Sequence, residues 1–168
     1  QKEEEMRAAL RQMRMAIDEF KRDTLGACPQ GAGSSTNPIN RQQIGIPTDP
    51  RTKVMIDDCK IFTAENLDRY PPTLETLVEG VTVKSRQPDL GGRGAFEEGT
   101  TVFSDAPKDL KKVYLREIPI DPITGKADWR LRSSYQTKDS ETWDDINVFD
   151  VRSASDAEAM NGEKYSDW

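Results

Sequence analysis

Over the first part of the chain the apolar side chains recur at spacings of three and four. Met6, Ala9, Leu10, Met13, Ile17 and Phe20 form one stripe of a helix, with charged and polar residues between them. The pattern predicts an amphipathic helix over residues 3–23. Glu3, Glu4 and Glu5 crowd its N-terminal end, where negative charge suits the helix dipole; Lys21 and Arg22 occupy the other end, and Gly26 supplies a stop. The stripe has two readings. It packs on the chain's own sheet, or its first turns, Met6 to Met13, protrude and pack against other copies.

The pattern then loosens. Pro29, Gly31, Gly33, Ser34, Ser35, Asn37 and Pro38 make one loop, and Pro47 and Pro50 another. Val54, Met55, Ile56, Cys59 and Phe62 support a short helix or turn. Pro71-Pro72 can set the first turn of a second helical piece over residues 73–78, closed by Gly80. Residues 82–112 read as loop, rich in glycine and proline. Pro119-Ile120-Asp121-Pro122-Ile123-Thr124-Gly125 is a turn sequence, in which Asp121 bonds the backbone ahead of it and Gly125 accepts a positive φ.

Near the C-terminal end the period changes to two. Trp129, Leu131, Ser133 and Tyr135 alternate with Arg130, Arg132 and Ser134, and residues 146–151 alternate less cleanly. An antiparallel pair packed on the first helix is the natural way to bury both apolar faces. Residues 152–168 read as a loop whose last residue, Trp168, is tucked against the body. The expected fold is α+β, a long N-terminal amphipathic helix on a small antiparallel sheet with long loops. It is expected as one domain over residues 1–168: the helix at 1–23, a variable loop region with short helices at 24–112, and the sheet and closing loop at 113–168.

Composition narrows the function. The chain has 168 residues, 35% hydrophobic and 32% charged, enough for one modest core. Its net charge of −6 opposes phosphate backbones and anionic membrane surfaces, and no basic stripe with interleaved aromatics offsets it. No apolar run in these residues is long enough to span a bilayer or to read as the h-region of a signal peptide. Because the chain starts abruptly inside a helical pattern, a segment is expected upstream.

The candidate chemistry is thin. With no histidine, Ser-His-Asp and Cys-His arrangements are ruled out, and zinc would have to lean on carboxylates. Gly91-Gly92-Arg93-Gly94 has no strand before it and no apolar helix after it, so it reads as a loop. Asp57-Asp58, Glu97-Glu98 and Asp144-Asp145 are adjacent acids; neighbours on a strand face opposite ways, which makes solvated surface the simpler reading than a hydrolytic dyad. Cys28 and Cys59 lie in one polar region. A bridge between them would close a loop of about 30 residues and add roughly 3–4 kcal/mol, while two reduced thiols remain the other reading. The closing loop offers Ser153, Ser155, Asp156, Glu158, Asn161, Glu163 and Asp167, oxygens of the kind calcium takes, though not at EF-hand spacing.

Four segments taken in order carry a resemblance: RAALRQMRMAIDEFKRD from Arg7, RYPPTLETLV from Arg69, YLREIPIDPITGKADW from Tyr114, and Val148 to Trp168 with its Tyr165–Trp168 ending. Together they resemble the pilin-like superfamily, most closely the major pseudopilin of the type II secretion system. The resemblance implies a structural subunit rather than an enzyme. It also implies an upstream hydrophobic helix as inner-membrane anchor and a periplasmic head. The implied partners are copies of itself in a filament, other pseudopilins and the inner-membrane secretion platform. Met6, Leu10, Met13 and Ile17 become the expected assembly helix. The family's calcium site lies in the last loop. Here Asn161-Gly162 replaces Asp-Gly and a later pair of aspartates is missing, which leaves Asp156, Asn161 and Asp167 as the candidate ligands. Residues 24–68 and 82–112 are longer than the family pattern, so a minor pilin-like module that binds a secreted substrate or a surface through those loops is the alternative.

Overall fold

The computed structural model describes residues 1–27, 53–85 and 110–168. In chain order the elements are helix α1 (Lys2–Asp23), strand β1 (Val54–Ile56), helix α2 (Leu74–Glu79), and strands β2 (Val81–Ser85), β3 (Leu110–Lys112), β4 (Arg130–Arg132) and β5 (Asp150–Arg152). The fold is α+β, with one long N-terminal helix and small antiparallel sheets. Among the described residues no helix is long and apolar enough to cross a membrane. The chain divides into two compact units: Gln1–Lys21, Lys60–Gly80 and Val113–Trp168 form the first, and Arg22–Cys59 with Val81–Lys112 the second.

The first unit is built on α1. Met6, Leu10, Met13, Ile17 and Phe20 are all buried, as a stripe of period 3.6 demands once it has a partner. Rings of Phe62 and Tyr114 meet Phe20 edge-on, with centroids 6.0 and 5.3 Å away. Helix α2 begins at Thr73, whose hydroxyl accepts from the Thr76 amide, and stops at Gly80, with φ of 82°. The carbonyl of Leu77 accepts from both Tyr114 and Leu115 amides, bringing the 113–115 segment to the core. β4 and β5 pair antiparallel, Leu131 opposite Val151. The turn before them forms as its sequence dictates: Asp121 Oδ1 accepts from the amides of Ile123 and Thr124, and Gly125 takes φ of 73°. The other oxygen of that fully buried carboxylate accepts from the Ser153 hydroxyl at 2.6 Å.

The second unit holds a three-stranded antiparallel sheet in the order β1-β2-β3. Val81 and Val83 are buried while Lys84 faces solvent, the alternation of a half-buried strand. The buried Asp23 accepts from Lys112 Nζ at 2.8 Å. Here the structure departs from the sequence expectation. Residues 82–112, read as loop, contain β3 and all of β2 but its first residue, and the 54–62 stretch, read as helix or turn, opens with β1 before a 3-10 turn at Cys59–Ile61. Cys59 is disulfide-bonded. Cys28, the other cysteine of the sequence, lies outside the described residues, as do Glu97-Glu98 and Gly91-Gly92-Arg93-Gly94.

Candidate assembly surface

α1 presents three faces. The apolar stripe is turned inward, so Met6, Leu10, Met13 and Ile17 are 0%, 2%, 0% and 1% exposed. Of the two readings of the stripe, this burial fits the one in which it packs within its own chain. The reason is the closing loop, which covers the N-terminal turns of the helix.

Beside the stripe runs a polar line of Glu3, Arg7, Arg14 and Lys21. Spacings of four, seven and seven keep these residues on one face, and each binds the first unit. Glu3 Oε1 accepts from the Met160 amide at 2.8 Å and the Tyr165 hydroxyl at 3.2 Å. Arg7 lies 4.3 Å over the ring of Trp168, which meets Tyr165 edge-on at 5.1 Å. Arg14 donates to Asp150 Oδ1 at 2.8 Å, to the Val151 carbonyl at 3.0 Å and to the Trp168 carbonyl at 2.6 Å. Lys21 donates to the carbonyl of Asp68 and lies 4.7 Å over the ring of Tyr70. Burial pulls the Lys21 ammonium below its ordinary range, with Asp68 opposing the shift. Tyr70 is pushed up by burial and by the charges of Asp68 and Asp18. Tyr165 is raised by burial and by its bond to Glu3.

The third face is uncovered. Glu4, Ala8, Arg11, Met15 and Asp18, again four and three apart, are exposed, Met15 to 62%. Between this face and the closing loop lies a groove of about 500 Å³ lined by Arg7, Arg11, Met15, Asp18, Asp167 and Trp168. It mixes both charges with a thioether, which is contact chemistry for another polypeptide rather than a convergent set of reactive groups.

The closing loop is a small hairpin. Glu158 pairs with Lys164, the Ala159 amide donates to the Glu163 carbonyl at 2.7 Å, and the Tyr165 amide donates to the Ala157 carbonyl at 3.0 Å. Gly162, with φ of 82°, turns its tip. Two of the three candidate calcium ligands have side-chain partners here. Asp156 forms a two-point pair with Arg130, 3.2 Å for each bond, and Arg130 holds its carboxyl below the usual range, helped by Ser166. Asn161 donates to Glu163 Oε2 and accepts from the Glu163 amide. Asp167 lies exposed beside the α1 groove. Among the described residues no three Asp, Glu, Cys or His side chains converge as a metal ion requires.

Arg7, Arg14 and Lys21 carry most of this surface; the sequence reading gave Lys21 a place at the helix end and gave Arg7 and Arg14 no role. Their spacing of seven was the available signal. No family model, curated protein or solved structure matches the chain.

Proposed function

We propose that this chain is a structural, self-assembling subunit of the pilin-like class, related in kind to the major pseudopilin of type II secretion. One observation carries the reading. α1 keeps its apolar stripe in its own core, is tied down along a polar line, and still offers a continuous uncovered face from Glu4 to Asp18. A helix fixed so firmly to its own domain presents that face as a rigid edge, which favours repeated packing between copies. The hairpin-shaped closing loop and the Asp121 turn support the same reading, since both fall in segments that carry the resemblance. In this reading the partners are further copies and other subunits of an export machine, and the site of action is the periplasmic side of an inner membrane.

The reading requires an apolar anchoring segment ahead of Gln1 in the gene product, and contact between copies through the outer face of α1. Cysteines placed at Ala8 and Met15, both exposed, test this by oxidative cross-linking in cells that express the full-length protein. Ladders of dimers, trimers and higher species are the expected result. A gene product without an apolar segment upstream, or monomers only from every cysteine variant, refutes the reading.

A further inference from the structure

Met160 is 94% exposed. It stands at the tip of the closing hairpin, between Ala159 and Asn161, with its amide held by Glu3 at 2.8 Å. The hairpin's cross-strand bonds and this tether fix the methionine in a projecting position, so it is not a side chain on a loose tail. The charges around it are mostly acidic: Glu3, Glu4, Glu5, Glu158 and Glu163, against Lys2 and Lys164.

An apolar patch lies near the other end of α1 in the same unit. Leu67 is 58% exposed, Tyr135 45% and Phe149 37%. Backbone neighbours bring them near one another: the Asp68 amide, next to Leu67, donates to the Tyr135 hydroxyl at 2.9 Å, and the Phe149 ring meets Tyr70, two residues beyond Asp68, edge-on at 5.0 Å. Cations flank the rings: Lys21 at 4.7 Å over Tyr70 and Arg132 at 5.2 Å over Phe149. Asp18 and Asp68 are the acids nearest Tyr70, and Asp150 pairs with Arg132. With Arg69 beside Lys21, three cations stand against three acids, so the patch is close to neutral on a chain whose net charge is −6 and can receive an apolar tip on an acidic hairpin without the repulsion met elsewhere.

We propose that the Met160 hairpin of one copy docks on the Leu67–Tyr135–Phe149 patch of the next. A thioether against aromatic edges is a favourable, adaptable contact, and Lys21 and Arg132 lie where Glu158 and Glu163 of the neighbour would approach. Glu3 and Lys21 are eighteen positions apart on α1, so hairpin and patch are separated by about 27 Å along it. Hairpin and patch are different surfaces at opposite ends, so copies stacked in the same orientation make a heterologous contact that propagates as a string. This inference rests on the self-assembly reading above and names a second contact, distinct from the outer face of α1.

Sedimentation of the chain up to roughly millimolar concentration, together with Met160→Glu and Leu67→Glu, tests it. Both side chains are exposed, and thermal melts establish that the variants fold. Each variant alone is expected to lose at least about tenfold in self-affinity. An equimolar mixture restores association but stops at heterodimers, because Leu67→Glu supplies the intact hairpin and Met160→Glu the intact patch. Association unchanged in both variants, or a mixture that stays monomeric, overturns the contact. Wild-type strings that survive both substitutions do so while leaving the α1 reading in place, since that reading stands or falls on the cross-links at Ala8 and Met15.

Discussion

Arg14→Met removes a side chain whose three bonds join the middle of α1 to the last strand and the closing loop. The acceptors are Asp150 at 2.8 Å, the Val151 carbonyl at 3.0 Å and the Trp168 carbonyl at 2.6 Å. Were they fully buried, each charged bond would contribute about 1.5–3 kcal/mol. The Arg14 and Asp150 side chains are 37% and 29% exposed, and solvent screening lowers each bond to roughly 0.5–1 kcal/mol. Asp150 is not stranded by the change, because Arg132 stays 3.3 Å away. The net cost is therefore about 1.5–3 kcal/mol, or a melting midpoint lower by roughly 4–10 °C in a chain of this length. Methionine keeps most of the aliphatic stem, so loss of packing contributes little. Arg14→Lys retains the charge without the planar fork and recovers less than half of the loss. The assay is thermal and urea unfolding of the three proteins, with amide exchange read over residues 157–168. Early loss of protection in that hairpin is expected in Arg14→Met. A midpoint within about 1 °C of wild type, or a hairpin as protected as before, refutes the clamp.

Met13→Ala, at a fully buried position, is expected to cost about 2–5 kcal/mol, whereas Met15→Ala on the uncovered face changes stability by less than about 0.5; equal effects measured by urea unfolding would contradict the inward turn of the apolar stripe. Gly125→Ala meets no neighbouring atom within 4 Å, so its expected cost of about 1 kcal/mol is purely that of holding φ near 73°, and Gly125→Asn should cost less by calorimetry. Tyr70 and Tyr165 both titrate above the ordinary value of 10.0. The stability that they contribute is complete below that pH and is lost as pH rises through the higher folded-state values, which tyrosinate absorbance followed alongside unfolding would show; Tyr165→Phe should remove part of that alkaline slope, and an unchanged slope would argue against the raised Tyr165. Asp156 behaves in the opposite sense. Its carboxyl is held below 3.8, so its pairing with Arg130 persists above that pH and weakens as acid protonates it, a step that Asp156→Asn should delete from an acid titration followed by NMR.

Local signals carried much of the architecture. α1 was legible because its stripe repeats over about four turns, and α2 because Pro71-Pro72 and Gly80 mark its ends. The 119–125 turn follows from Asp121 and Gly125 without any distant contact. β2 and β3 were not legible for a different reason. Val81-Thr82-Val83 has the period of a strand, but its partner, Leu110-Lys111-Lys112, offers a single apolar residue and lies far along the chain. Pairing of that kind is fixed by tertiary packing, not by either segment. The site divides the same way. The tucked position of Trp168 could be anticipated from its cost when exposed. The clamp residues could not, because an arginine at the border of an apolar stripe looks the same whether it meets solvent or a carbonyl. The apolar stripe itself was recognised, but what covers it was left open between two readings, since periodicity gives the face and not what covers it.

The polar line along α1 has a mechanical consequence. Glu3, Arg7, Arg14 and Lys21 grip the rest of the first unit at intervals of one or two helical turns. A force pulling lengthwise on the helix loads these grips side by side, as shear, so that several must yield together. A force that peels the helix from one end meets them one after another. The same bonds thus make the rod stiff to axial tension and thrust yet easy to strip sideways, and the rate of forced unfolding should depend on the direction of pull.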